Sequence, residues 1–177
     1  MALIKLNNQS LTAVTSLPAA IPTGKVLQIQ SARFTGSNTS VTTNSLSATE
    51  ITDQITPSAT DSKVLVMVNV SLAQYENSGS GLKYQAGIYR QINGGGYSLV
   101  YAGQSNSYGG YGDSLGGTAE RSSSFPTSLT FVDSPSTTSA VDYKLYIGLN
   151  VSSGQGNNVT TGASNMERAI TLLEIGA

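Results

Sequence analysis

The chain contains no cysteine, no histidine and no tryptophan, and charged residues make up only 11% of its 177 positions. Without cysteine there are no disulfides and no thiolate metal sites, so the redox compartment cannot be read from thiol usage. Without histidine a Ser-His-Asp or Cys-His nucleophile system cannot be assembled, and zinc or iron sites built on imidazole are excluded. Lys plus Arg total 9 and Asp plus Glu total 10, for a net charge of −1. That balance offers no electrostatic footprint for nucleic acid or for an anionic membrane surface. Met1 to Ile21 is mildly apolar, but Asn7, Asn8 and Gln9 interrupt it, so it lacks the continuous core of a signal peptide. No other run approaches transmembrane length.

In place of charge the chain carries hydroxyls: roughly a quarter of it is Ser plus Thr, well above average usage. An uncharged polar surface suits a protein packed among many copies, where like-charge repulsion would be costly. The length fits one domain with an appended segment and suffices to bury a real core.

Residues 1–23 are expected to form an extended N-terminal arm, because Pro18 and Pro22 stand four apart and oppose helix. Fully extended, that arm would reach roughly 75 Å at about 3.3 Å per residue, far enough to lie across a neighbouring subunit. Its apolar and proline positions, Leu3, Ile4, Leu6, Leu11, Leu17, Pro18, Ile21 and Pro22, are the candidate assembly contacts.

Residues 24–177 read as an all-β domain, a single jelly-roll-like antiparallel sandwich of about eight strands. Val26, Ile29 and Phe34 mark the first strand; Ile51 and Ile55 mark the second, which stops at Pro57. Lys63 to Ala73 is the strongest signal: Val64, Val66, Val68, Val70 and Leu72 share one face, with Leu65 and Met67 opposite at its start. This predicts a strand buried on one face throughout and on both at one end. Leu82 to Ile92 and Tyr97 to Ala102 flank Asn93-Gly94-Gly95-Gly96, a run suited to the positive φ of a tight hairpin. A short strand over Leu129 to Val132, another over Tyr143 to Leu149 and a last over Arg168 to Ile175 complete the set. No segment carries a sustained helical repeat with a cap.

Gly103 to Ser124 reads as a long Gly/Ser loop bearing Tyr108, Tyr111 and Asp113. Tyrosine on such a scaffold gives a flat amphipathic contact at low entropy cost, so this loop is the candidate recognition surface, for instance for sugar rings. Ten acids, from Glu50 to Glu174, are spread thinly, and several fall at predicted turns where Asp caps backbone amides. A carboxylate pair flanking a glycosidic bond could still do glycosidase chemistry without histidine, and the spread argues against it. Gly154-Gln155-Gly156 is followed by no helix and so is no dinucleotide fingerprint. The expectation is a non-enzymatic protein without cofactor or metal.

Four phrases bear a resemblance to a known group. They are Met1 to Leu11, Ile55-Thr56-Pro57-Ser58-Ala59-Thr60-Asp61-Ser62-Lys63-Val64-Leu65-Val66, Phe131-Val132-Asp133-Ser134-Pro135 and Ala169-Ile170-Thr171-Leu172-Leu173-Glu174-Ile175. Together they resemble small structural β-domain proteins of cyanophages and other aquatic tailed phages, which include tail-fibre-like and capsid-decorating virion proteins. The resemblance implies a virion structural protein assembled in a bacterial cytoplasm, with a homotrimeric jelly roll as the expected assembly. A trimeric capsid cement or decoration protein bound to the major capsid protein is one expected role. The other is a tail-fibre or receptor-binding tip that contacts host surface polysaccharide.

Overall fold

The computed structural model describes residues 25–76, 83–108, 121–150, 157–162 and 168–176. Among them are ten β-strands and no helix: β1 (Val26–Phe34), β2 (Ser40–Val41), β3 (Ser47–Ile55), β4 (Lys63–Glu76), β5 (Lys83–Ile92), β6 (Ser98–Tyr108), β7 (Arg121–Asp133), β8 (Val141–Leu149), β9 (Asn158–Thr161) and β10 (Arg168–Ile175). They form two antiparallel sheets. The first runs β1-β10-β4-β9-β2, with β7 also paired to β4; the second runs β3-β8-β5-β6.

The topology becomes simple once the short β2 and β9 are set aside. The remaining eight strands pair as β1 with β10, β3 with β8, β4 with β7 and β5 with β6, the successive couples of one long folded ribbon. Wrapping that ribbon brings β10 against β4 and β8 against β5. Four strands then fall in each sheet, in the orders β1-β10-β4-β7 and β3-β8-β5-β6, which is a jelly roll.

β4 occupies the centre because its sequence leaves it no other place. Val64, Val66, Val68 and Leu72 are fully buried and Val70 almost so. Its partners across the core include Ile51, Ile88, Tyr143, Leu145 and Ile147 of the second sheet. Burying each such aliphatic side chain contributes about 1.5–3 kcal/mol. One edge of β4 pairs with β7 over its whole length, while the other is shared between β10 at its start and β9 at its end. Between β5 and β6 the chain reverses at Asn93 (φ 48°) and Gly94 (φ 72°), two consecutive left-handed residues of a tight hairpin.

The eight strands of the roll match the expected number, and among the described residues the short β2 and β9 add to them. Two expectations need correction. The long loop over Gly103 to Ser124 is much reduced, since β6 continues to Tyr108 and β7 begins at Arg121. Hydroxyl-rich stretches such as Arg121-Ser122-Ser123-Ser124 lack apolar alternation, yet their backbones still complete the ladder to β4. Finally, the short strand over Leu129 to Val132 is part of a 13-residue strand containing Pro126. Proline is tolerated there because, among the described residues, β7 pairs with β4 alone and so lies at a sheet edge.

Candidate functional site

Of the loop residues singled out from sequence, Tyr108 ends β6 and pairs with Lys83, so it belongs to a strand. Tyr111 and Asp113 lie outside the described residues. So do all the arm positions, Leu3, Ile4, Leu6, Leu11, Leu17, Pro18, Ile21 and Pro22. The described chemistry lies elsewhere, in three inward-facing carboxylates and on the outer faces of the two sheets.

Glu174, on β10, is 1% exposed. Its Oε1 accepts hydrogen bonds from the Ser58 N–H (2.7 Å) and the Ser58 hydroxyl (2.6 Å), and its Oε2 accepts from Gln28 Nε2 (2.7 Å). Gln28 Nε2 also donates to the Thr56 carbonyl at 2.6 Å. Burial by itself would raise the pKa of this carboxyl. The hydrogen bonds of Ser58 and Gln28, with the hydroxyl of buried Ser62 close by, outweigh it and hold the pKa at about 2. The group is therefore a permanent anion that ties the crossover from β3 to β4 onto β10 and β1.

Asp133, at the end of β7 in the first sheet, reaches across to the second. Arg90 Nη1 on β5 donates to both its oxygens, at 3.0 and 2.8 Å, and the Tyr143 hydroxyl on β8 donates to Oδ2 at 2.7 Å. Burial first, and then this bond to Asp133, push the Tyr143 hydroxyl far above the ordinary tyrosine range, so it stays protonated. Glu50 on β3 makes a second contact between sheets. It pairs with the buried Arg168 guanidinium of β10 and accepts from the hydroxyls of Thr39 and Thr161, the latter at 2.7 Å. Arg168 also donates to the carbonyls of Gly36 (2.9 Å) and Ser37 (3.2 Å). These acids are fixed acceptors that join strand ends and loops. Among the described residues, no group of three or more acids could hold a metal ion.

The outer face of the first sheet carries an apolar row across four strands. Register places Ile29 of β1 beside Leu173 of β10, Leu173 beside Leu65 of β4, and Leu65 beside Val132 of β7. Ile29 is 59% exposed and Val132 52%, while Leu65 and Leu173 are half-buried between them. Val26, 54% exposed, and Ile175 extend the patch on one side, and Met67 extends it on the other. In the row of Met67 the face already turns polar: Thr171 is its partner on β10 and Thr130 its partner on β7, and the Ser31 and Thr171 hydroxyls lie 3.0 Å apart. The sequence hinted at this surface through Leu65 and Met67 alone, because Ile29, Leu173 and Val132 join them only once the register is known.

A second cluster lies on the outer face of the other sheet. The rings of Tyr89 and Tyr146 stack with centroids 3.9 Å apart, Tyr97 meets Tyr146 at 6.1 Å, and Lys144 Nζ lies 5.0 Å from the Tyr97 ring centre. Burial, followed by the neighbouring Tyr97 and Tyr89, raises the Tyr146 hydroxyl above its usual range. The row Thr52, Lys144, Tyr89, Leu99 crosses all four strands, and Gln54 Nε2 bonded to Asp142 at 3.2 Å borders it. Sequence reasoning placed tyrosine recognition in the loop after Gly103 and missed this cluster, whose members lie on three separate segments.

No protein-family model matches the chain, and no curated protein matches it either. Among solved structures it is similar to capsids of infectious bursal disease virus. A Gt-strain structure aligns over 86% of this chain at 15% identity and a TM-score of 0.35. A crystal structure of the VP2 subviral particle aligns over 85% at 12% identity and 0.37, and virus-derived T=1 particles over 86% at 16% and 0.39. The chain spans 37–39% of the length of those chains. At such identities and TM-scores the likeness assigns neither a family nor a function.

Proposed function

We propose that the chain is a non-enzymatic structural protein of a bacteriophage particle, used as a homotrimeric cement or decoration protein bound to the major capsid protein. The observation that carries this reading is the contiguous apolar patch on the outer face of the first sheet. Monomeric soluble proteins seldom leave aliphatic side chains from four adjacent strands open to water unless a partner covers them. The near-neutral, hydroxyl-rich composition favours close packing of copies, and the sequence phrases resembling phage virion proteins name the setting. Glu50, Asp133 and Glu174 act as fixed structural anions, and Glu174, ionised down to about pH 2, is no proton donor near neutrality.

The test is sedimentation of the purified full-length protein with bare capsids of a tailed phage that encodes it. Saturable binding at a fixed number of copies per capsomer is expected, with a trimer mass in solution. Recovery with tails and none with capsids would refute the cement role.

One observation favours a second reading, a tail-fibre or receptor-binding tip. The Tyr89, Tyr97 and Tyr146 cluster, bordered by Lys144, Gln54 and Asp142, combines aromatic faces with planar polar groups, the combination that stacks on sugar rings and hydrogen-bonds their hydroxyls. Binding of host surface polysaccharide that is lost in Tyr146→Ala would favour this reading over cement.

A further inference from the structure

We infer that the apolar patch formed by Ile29, Leu65, Leu173 and Val132 is the receiving surface for the N-terminal arm, residues 1–23, of a neighbouring copy of this chain. The inference rests on the virion-assembly reading and names the surface through which copies join. Three observations carry it.

The patch reaches the start of β1: Val26, the first residue of that strand, is 54% exposed at its margin, so 25 residues of chain lead up to the patch. Crossing the four strands takes about 15 Å at about 4.8 Å between strands, or roughly five extended residues. An arm of this length therefore has enough chain both to span a subunit boundary and to lie across the face. The arm also matches the patch chemically. Leu3, Ile4, Leu6, Leu11, Leu17 and Ile21 supply aliphatic groups, and Lys5 is its one charged side chain.

The neighbour's arm is favoured over the chain's own. Pro18 and Pro22 favour an extended course just ahead of β1, so a return onto the same subunit would need a full reversal within Thr23-Gly24-Lys25. An arm that continues outward meets no such demand, and a closed ring of copies would give every patch one arm.

The absence of cysteine allows a clean test on the full-length chain. Two differently tagged chains are co-expressed, one carrying Leu6→Cys, Leu11→Cys or Leu17→Cys and the other Val132→Cys, and mild oxidation is followed by non-reducing gels. At least one arm position is expected to give a disulfide between the two tags. Adding Ile29→Lys to the Val132→Cys chain is expected to reduce that product at least tenfold, with circular dichroism unchanged because Ile29 is already exposed. A disulfide formed only within a doubly substituted chain would overturn the exchange between copies. Val132→Cys linking only to itself would instead mean that two faces meet, and no product at any arm position would remove the docking altogether. Capsid sedimentation of the same full-length protein is read separately, so a failed cross-link with retained capsid binding defeats this inference alone.

Discussion

Glu174 offers the sharpest quantitative test of the fold. Its carboxylate is buried on β10 and held by Ser58 and Gln28, and its pKa is lowered from 4.5 to about 2. A group whose folded-state pKa is depressed stabilises the fold fully above its unfolded value and loses that contribution as pH falls to the folded value. The window here is pH 4.5 down to pH 2. A separation of about 2.5 units corresponds to about 3 kcal/mol at 1.36 kcal/mol per unit, an upper figure because Ser58 itself is open to water. Against a typical net stability of about 5–15 kcal/mol that is a large share.

The assay is urea unfolding of wild type and Glu174→Gln at pH 7, 4.5, 3 and 2. At pH 7 the variant is expected to be about 1–3 kcal/mol less stable, because an amide offers one acceptor oxygen where the carboxylate satisfies three donors. The difference should shrink steadily below pH 4.5 and be nearly closed at pH 2, where the wild-type carboxyl is about half protonated. Other acids titrate equally in both proteins, so the difference isolates Glu174. A gap that stays constant from pH 7 to pH 2 would refute the ionic account of this clamp.

Other substitutions probe the remaining elements. Val66→Asp, at a fully buried position of the central strand, should yield insoluble or unfolded protein, since an unpaired charge would enter the core; a cooperative thermal transition would contradict the assignment of β4 to the centre. Gly162 has φ +76° and a Cβ there would meet the Arg168 guanidinium at 3.0–3.2 Å, whereas Gly94 has φ +72° with open space around it. Gly94→Ala should therefore cost about 1 kcal/mol and Gly162→Ala clearly more, as measured by denaturant midpoints. Asp133→Ala leaves the Arg90 guanidinium and the buried Tyr143 hydroxyl without this acceptor and should destabilise by about 3 kcal/mol or more; a shift under 0.5 kcal/mol would show that the contact between sheets contributes nothing.

Much of the fold was legible because the inner faces of β4 and β8 carry an unbroken alternation of apolar residues, and β10 occupies the range the sequence indicated, Arg168 to Ile175. Where the alternation fades, the reading faded with it. The start of β7 is Ser-rich and the end of β6 is polar, so their strand character comes from backbone pairing with β4 and β5 instead of from side chains. The outer-face clusters were less legible for another reason. Ile29, Leu65, Leu173 and Val132 are ordinary single aliphatics in sequence, and a row appears only when four registers are known together. The same holds for Tyr89, Tyr97 and Tyr146.

The phrases that carry the phage resemblance take on a physical meaning in three dimensions. The Ile55–Val66 phrase and the closing Ala169–Ile175 phrase lie over a hundred residues apart, yet Ser58 of the first donates twice to Glu174 of the second. The Phe131–Pro135 phrase contains Asp133, which closes the sandwich against Arg90 and Tyr143. Each of these three phrases thus combines a strand end with an anion, or with the donors of an anion, that fastens it to a distant strand. In a chain with ten acids, two of the three inward carboxylates fall inside these phrases. That placement explains why the resemblance speaks clearly about architecture and is silent about the partner: the phrases form the seams of the jelly roll. The tyrosine cluster is drawn from residues outside them, whereas Leu65, Val132 and Leu173 of the apolar row lie inside them. Those three lie side by side on the apolar row. At that row the parts that set the fold and the parts exposed to a partner coincide, so its substitution should be read first for assembly and only then for stability.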